Sequence, residues 1–381
     1  MANLKIKIAD NELVADGDHK ALSEYKASFL DFVAKRDAFL AGERFEFAEV
    51  AREEVIAENP QPAPNVKDEV VVIYDNAGIP SIMRRFSLMR NNELFEGGST
   101  VEHPAFVIGG EVYDEIYISV YPNCNINGKP YSLPGMKPWT NVTIDDAANA
   151  CFSKGDGWHL MTAPEWGLLA NISLKNGTLP HGNTDCGHYH ADHSEKGIPI
   201  ESGSPYTLTG TGPATWTHDH TVTGVHDLCG NVYEFVRGLR FKDGEIQIAT
   251  DNDAALPETD LSKNGSGWSS MAEPMFVDTS HGVVRFTKEK VENDTYEGSR
   301  WEDVECSEYT EGMKELAIYP GEPEVFCGID GTEGEWLAFR GGGWYYSSYS
   351  GVFYLYGYDV RTAANDNVGF RSAYFKRKTD N

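Results

Sequence analysis

Phe339-Arg340-Gly341-Gly342-Gly343-Trp344 runs directly into Tyr345-Tyr346-Ser347-Ser348-Tyr349-Ser350-Gly351-Val352-Phe353-Tyr354-Leu355-Tyr356-Gly357-Tyr358-Asp359, and on to Asn365-Asp366-Asn367. Six of the chain's 19 tyrosines fall here, mixed with Ser, Gly, Asp and Asn. Rigid amphipathic rings among small, adaptable polar residues are the composition of a binding surface. A Tyr-rich strand is the plainer reading, since aromatic residues favour sheets. Clean alternation would support it, but Tyr345-Tyr346 puts rings on both faces. The binding surface is therefore favoured.

Three further stretches precede or follow this one. They are Gly157-Trp158-His159-Leu160-Met161-Thr162-Ala163-Pro164-Glu165-Trp166, Gly224-Val225-His226-Asp227-Leu228-Cys229-Gly230-Asn231-Val232-Tyr233-Glu234-Phe235, and Asn367-Val368-Gly369-Phe370-Arg371. Trp158, Trp166, Tyr233 and Trp344 read as large apolar anchors, with glycines letting backbone pass beside them. Arg340 and Arg371, with their fixed fork of donors, read as holding buried carboxylates or carbonyls. These residues fix a scaffold and reveal no chemistry.

In this order the four stretches resemble the formylglycine-generating-enzyme-like branch of the C-type lectin fold, over roughly residues 106–375. The resemblance implies a loop-rich α+β domain. Enzymes of that family carry a reactive cysteine pair just after the Arg-Gly-Gly-Ser-Trp motif. Here those positions hold Tyr345, Tyr346, Ser347, Ser348 and Tyr349, and no cysteine follows residue 327. A thiolate is both nucleophile and metal ligand in that chemistry, and neither Ser nor Tyr replaces it. The iron-dependent sulfoxide-forming relatives need a His-rich helical domain, whereas the first hundred residues contain only His19. An oxidoreductase of either kind stands as the alternative reading, short of its ligands.

What remains resembles the variable proteins of diversity-generating retroelements, the group that includes phage major tropism determinants. There, a C-terminal lectin-fold segment is rewritten at adenines, mostly in Asn codons. Such changes yield Tyr, Ser, Gly, Asp, Thr, Ala, Val, Leu, Phe or Asn, but never Lys, Glu, Gln, Met or Trp. None of those five occurs from Tyr345 to Asn367. An unmutated Trp-Asn-Asn-x-x-Asn-x-Gly-Val-Phe-Asn-Leu-Asn maps onto Trp344 to Tyr356 without a gap. The resemblance thus implies diversified, ligand-binding positions at Tyr345, Tyr346, Ser348, Tyr349, Tyr354, Tyr356, Tyr358, Asp359, Thr362, Asn365 and Asp366, within a variable segment 340–371. Val352, Phe353, Leu355 and Arg361 would be the framework between them. It implies a non-enzymatic protein that needs no cofactor and binds a protein receptor on a cell or host surface. Such a protein is tail-associated on a virion or displayed on a cell. A structural tail component with an invariant surface is the third reading.

At 381 residues the chain is long enough for two domains. Its formal net charge of -27 argues against nucleic acid and anionic membranes as partners. Met1 to Asp10 has no apolar h-region, and no stretch is long enough to span a bilayer, so neither classical secretion nor membrane insertion is expected. The six cysteines form no C-x-x-C pair and read as free, buried thiols.

Leu22, Tyr25, Phe29, Phe32 and Val33 recur at helical spacing, making residues 1–58 an N-terminal helical region, as two helices or one kinked helix. Its apolar stripe would pack on the main domain or join subunits of a homo-oligomer. Residues 59–105 read as a linker, Asn59-Pro60-Gln61-Pro62-Ala63-Pro64, with short strands such as Val70–Tyr74. The lectin-like domain is expected over 106–381, with a helix from Ile144 to Phe152 capped by Thr143.

Two metal readings arise. Cys186-Gly187-His188-Tyr189-His190-Ala191-Asp192-His193 has zinc-ligand types at short spacing, against a solvent-facing polar loop as the alternative. Asn231 and Glu234 stand where some family members hold structural calcium, though calcium wants six to eight oxygens. The sugar-binding tripeptides Glu-Pro-Asn and Gln-Pro-Asp of calcium-dependent lectins are absent.

Overall fold

The computed structural model describes residues 2–8, 11–17 and 70–378. The chain divides into two compact units, Met1–Pro64 and Asn65–Asn381. In the first, Ala2–Ile8 and Asn11–Gly17 pair as an antiparallel hairpin, so the start of the region read as helical is β. The helical stripe over 20–58, the oligomer surface assigned to it and the proline linker lie outside the described residues.

The second unit is loop-rich and mainly β, with three α-helices among the described residues, which corrects the α+β expectation toward sheet. A five-stranded sheet runs in the order Trp158–Leu160, Ser372–Tyr374, Glu115–Ser119, Pro80–Ser87, Val70–Tyr74. Met83 to Ser87 pair in register with Ser119 to Glu115. Val70–Tyr74 and Pro80–Ser87, expected as short strands within 59–105, pair with each other and, through Pro80–Ser87, with Glu115–Ser119, so both belong to this sheet.

The larger sheet has eleven strands. One end of it runs Tyr296–Arg300, Phe326–Asp330, Gly351–Asp359, Glu335–Gly341, Tyr233–Lys242. Gly351–Asp359 pairs parallel to Phe326–Asp330 and antiparallel to Glu335–Gly341. Its Val, Phe, Tyr and Leu suit a pleated, buried surface, and residues 351–355 are all buried.

Two helices pack beneath. Ile144–Phe152 begins at Thr143, whose hydroxyl accepts from the Asp146 amide at 3.1 Å. Ala163–Asn176 opens with a reciprocal cap in which the Thr162 amide donates to Glu165 Oε2 at 2.9 Å. Trp166, Leu168, Leu169, Ala170 and Ile172 on this helix are all buried, and its first turn carries Trp166 to the underside of Gly351–Asp359.

Candidate functional site: an aromatic surface on a backbone-held strand

The aromatic segment is fixed through its main chain. Trp166 Nε1 donates to the Val352 carbonyl at 2.7 Å, and Trp301 Nε1 to the Phe353 carbonyl at 2.9 Å. Arg340, fully buried, donates to the carbonyls of Ala317, Leu316 and Tyr354. The Phe353 amide donates to Glu322 Oε2 at 2.9 Å. The loop before the strand is held likewise: Cys186 N donates to Trp344 O at 3.1 Å, and Ser347 N to Thr184 O at 3.0 Å. Gly342, at φ +79°, admits no side chain here, since a Cβ would sit 2.5 Å from Ser350 Oγ. Bonds to backbone survive a change of side chain, so the segment's position is independent of which residues it displays.

Period-two geometry puts Tyr354, Tyr356 and Tyr358 on one face and Phe353 and Leu355 on the other. The rings make a continuous contact chain. Trp344 meets Tyr345 at 4.8 Å between centroids, and Tyr345 meets Tyr346 at 4.3 Å. Tyr346 reaches Tyr233 at 5.9 Å and Tyr354 at 6.0 Å. Tyr356 stacks on Phe339 at 5.5 Å with an interplanar angle of 3°, and contacts Tyr358.

Exposure grades along this chain. Tyr345 is 47 % exposed and Tyr349 37 %, while Tyr346, Tyr356 and Tyr358 are half-buried. Burial pushes the phenols of Tyr346 and Tyr356 up to about 12 and raises that of Tyr358 further. Tyr354 departs from the expectation that all these positions face outward. It is 0 % exposed, enclosed by Tyr233 at 5.5 Å, Phe326 at 5.4 Å and Tyr346, and its phenol is driven far above the ordinary value by burial. It shares the face of Tyr356 and Tyr358, but at the end of the row that other rings cover.

The remaining positions sit around this patch. Ser348 is half-buried in the loop turn. Asp359, its carboxyl raised by burial, accepts from Asn365 Nδ2 at 3.4 Å. Thr362, Asn365 and Asp366 are exposed in the following loop. Asp366 also lines a cleft of ≈ 370 Å³ with Tyr206, Lys137, Asn141 and Glu201. Arg361 is tied down beneath, chelating the Glu335 carboxylate at 2.8 and 3.0 Å and reaching Asp145 Oδ1 at 2.8 Å.

Both side chains read as calcium ligands are engaged elsewhere. Glu234 is buried and both its oxygens accept from the Arg371 guanidinium, which also donates to the His226 and Ser119 carbonyls. Asn231 Oδ1 accepts from Asn183 Nδ2 at 3.0 Å and Thr207 N at 2.9 Å. Three of these carboxylate and amide oxygens thus serve neighbouring donors of the chain itself. In the histidine-rich loop, His193 Nε2 pairs with Asp185 Oδ2 at 2.9 Å and His181 Nδ1 with Glu195 Oε2 at 2.9 Å. Among the described residues no three His, Cys, Asp or Glu side chains form a group able to hold a metal ion.

Cys124, Cys151, Cys229 and Cys327 are buried, and burial raises each of them, Cys124 and Cys151 to about 12. A thiol held protonated is neither nucleophile nor metal ligand. Cys306 is half-buried and Cys186 is exposed, contrary to the expectation of burial for all six.

No family model matches the chain, and no curated protein matches it. Among solved structures it is similar to PvdO from Pseudomonas aeruginosa, at 13 % identity and a TM-score of 0.31, covering 80 % of this chain and 97 % of that one. It is also similar to variable protein 1 from Treponema denticola, at 12 % identity and a TM-score of 0.31, covering 81 % and 98 %.

Sequence reasoning missed Tyr296, Arg300 and Phe326, which adjoin the patch. They lie far from it in the chain, and only sheet pairing brings them there.

Proposed function

We propose that this chain is a non-enzymatic binding protein whose surface over residues 345–366 is diversified by a retroelement. Its partner is a protein receptor on a cell or host surface, met while the chain is displayed on a virion tail or on a cell. Exposed tyrosines fill pockets on the partner, and the residues around them set specificity. If single contacts are weak, display in many copies raises avidity steeply.

The observation that carries this reading is the mode of attachment. Indole, guanidinium and carboxylate groups outside the segment hold its backbone at Val352, Phe353 and Tyr354, so the exposed rings of Tyr345 and Tyr349 are not what holds that backbone. Function then resides in a surface grafted on a tolerant frame.

Sequencing this locus in sister isolates tests the proposal. Substitutions concentrated at Tyr345, Tyr346, Ser348, Tyr349, Tyr356, Tyr358, Asp359, Thr362, Asn365 and Asp366, with Val352, Phe353, Leu355 and Arg361 constant, are expected. The same residues at 345–366 in all isolates would overturn it and favour a structural component with an invariant surface.

A further inference from the structure

The strand Tyr296–Arg300 lies at the end of the large sheet and pairs antiparallel with Phe326–Asp330, which in turn pairs with Gly351–Asp359. Tyr296 therefore meets Tyr358 across one intervening strand, and Arg300 at the other end of its strand meets Tyr349 in the turn before Gly351–Asp359.

The meeting is ring to ring and in rank. Tyr296 contacts Tyr358 with centroids 4.2 Å apart. Phe326 stacks on Tyr354 at 5.4 Å and touches Tyr349 at 6.3 Å. Arg300 holds its guanidinium carbon 5.0 Å from the Tyr349 ring centre, steadied by Glu302 Oε1 at 3.5 Å. The Phe326 ring can lie across the sheet because Gly298 and Gly328 face each other beneath it. A Cβ on either would come within 2.6 Å of that ring. At the two ends of this row Tyr296 is 40 % exposed and the Arg300 side chain 32 % exposed.

We infer that Tyr296 and Arg300 are fixed contact residues of the binding surface, forming with Phe326 a constant row that a protein partner touches together with Tyr358 and Tyr349. This rests on the function proposed above. The Tyr296 and Phe326 rings and the Arg300 guanidinium lie outside 345–366, so they supply binding area that diversification of that segment does not erase. The constant row gives every variant a shared part of the footprint, and the variable row discriminates between partners.

The test uses the full-length protein and a peptide selected on it from a random display library, with affinity measured in solution. Tyr349→Ala and Tyr358→Ala are compared with Tyr296→Ala and Arg300→Ala, and with Tyr296→Phe and Arg300→Lys, which retain ring and charge. Unfolding temperature is recorded for each. The inference expects affinity to fall about tenfold or more in both alanine groups, with recovery in Tyr296→Phe. A fall in the Tyr349 and Tyr358 variants alone would overturn the constant row and leave the proposed function standing. Affinity indifferent to Tyr349 and Tyr358 would overturn that function as well.

Discussion

Trp301 Nε1 donates to the carbonyl oxygen of Phe353 at 2.9 Å, across 52 residues of chain. The indole is 1 % exposed and stacks on Phe286 at 6.2 Å, so its direction is fixed by packing. Trp301→Phe keeps most of the volume and strands a buried carbonyl. We expect a loss of about 1–3 kcal/mol in stability by denaturant unfolding. Trp166→Phe, acting on Val352, behaves the same way.

Tyr354 and Tyr345 have opposite costs although both are tyrosines of one segment. Tyr354→Ala empties a site closed by Tyr233, Phe326 and Tyr346, and a loss of about 3–5 kcal/mol is expected. Tyr345→Ala removes an exposed ring and changes stability within about 0.5 kcal/mol. Thermal unfolding of the two variants separates them.

We expect chelation to leave the unfolding temperature unchanged, because Glu234 and Asn231 serve Arg371, Asn183 and Thr207. Glu234→Gln, by contrast, leaves the Arg371 cation buried beside a neutral partner and costs about 3–5 kcal/mol. A melting point lowered by chelator would restore the metal reading.

Stability depends on pH through buried groups that pull in opposite directions. Burial depresses His218 and His226 from 6.5 to about 4, so the unfolded chain binds more protons in that window. Their contribution is present above 6.5 and is lost as pH falls through 6.5 toward 4. Burial raises Asp227 from 3.8 to about 6, so the folded chain binds the extra proton there. Its contribution is present below 3.8 and is lost as pH rises through 6. Asp227→Asn removes only the second effect while keeping an oxygen for the Gly210 amide, which Asp227 accepts at 2.7 Å. Relative to the parent chain, this variant gains stability between pH 4 and 7 in denaturant titrations.

The scaffold residues were the legible part of the sequence. Arg340 and Arg371 read as holders of carbonyls and carboxylates, and they bind three carbonyls and Glu234 respectively. Thr143 was recognisable as a helix cap from the Asp three residues on. Helix Ala163–Asn176 was not legible as a helix. Its first eleven residues are all buried, so no polar face alternates with an apolar one. Tyr354 escaped because parity assigns a face but not the rings that cover it. Tyr296 and Arg300 escaped because strand order, not chain order, makes them neighbours of Tyr358 and Tyr349. Nothing in the spacing of Asn231 and Glu234 disclosed that Arg371 would claim the carboxylate.

The DNA beside this coding region tests the central claim most directly. The account predicts a near-copy of the segment encoding residues 340–371, carrying adenines at the codons for Tyr345, Tyr346, Tyr349, Tyr356, Tyr358, Asp359 and Asp366, next to a reverse transcriptase gene. Flanking sequence with no such copy and no reverse transcriptase would contradict it.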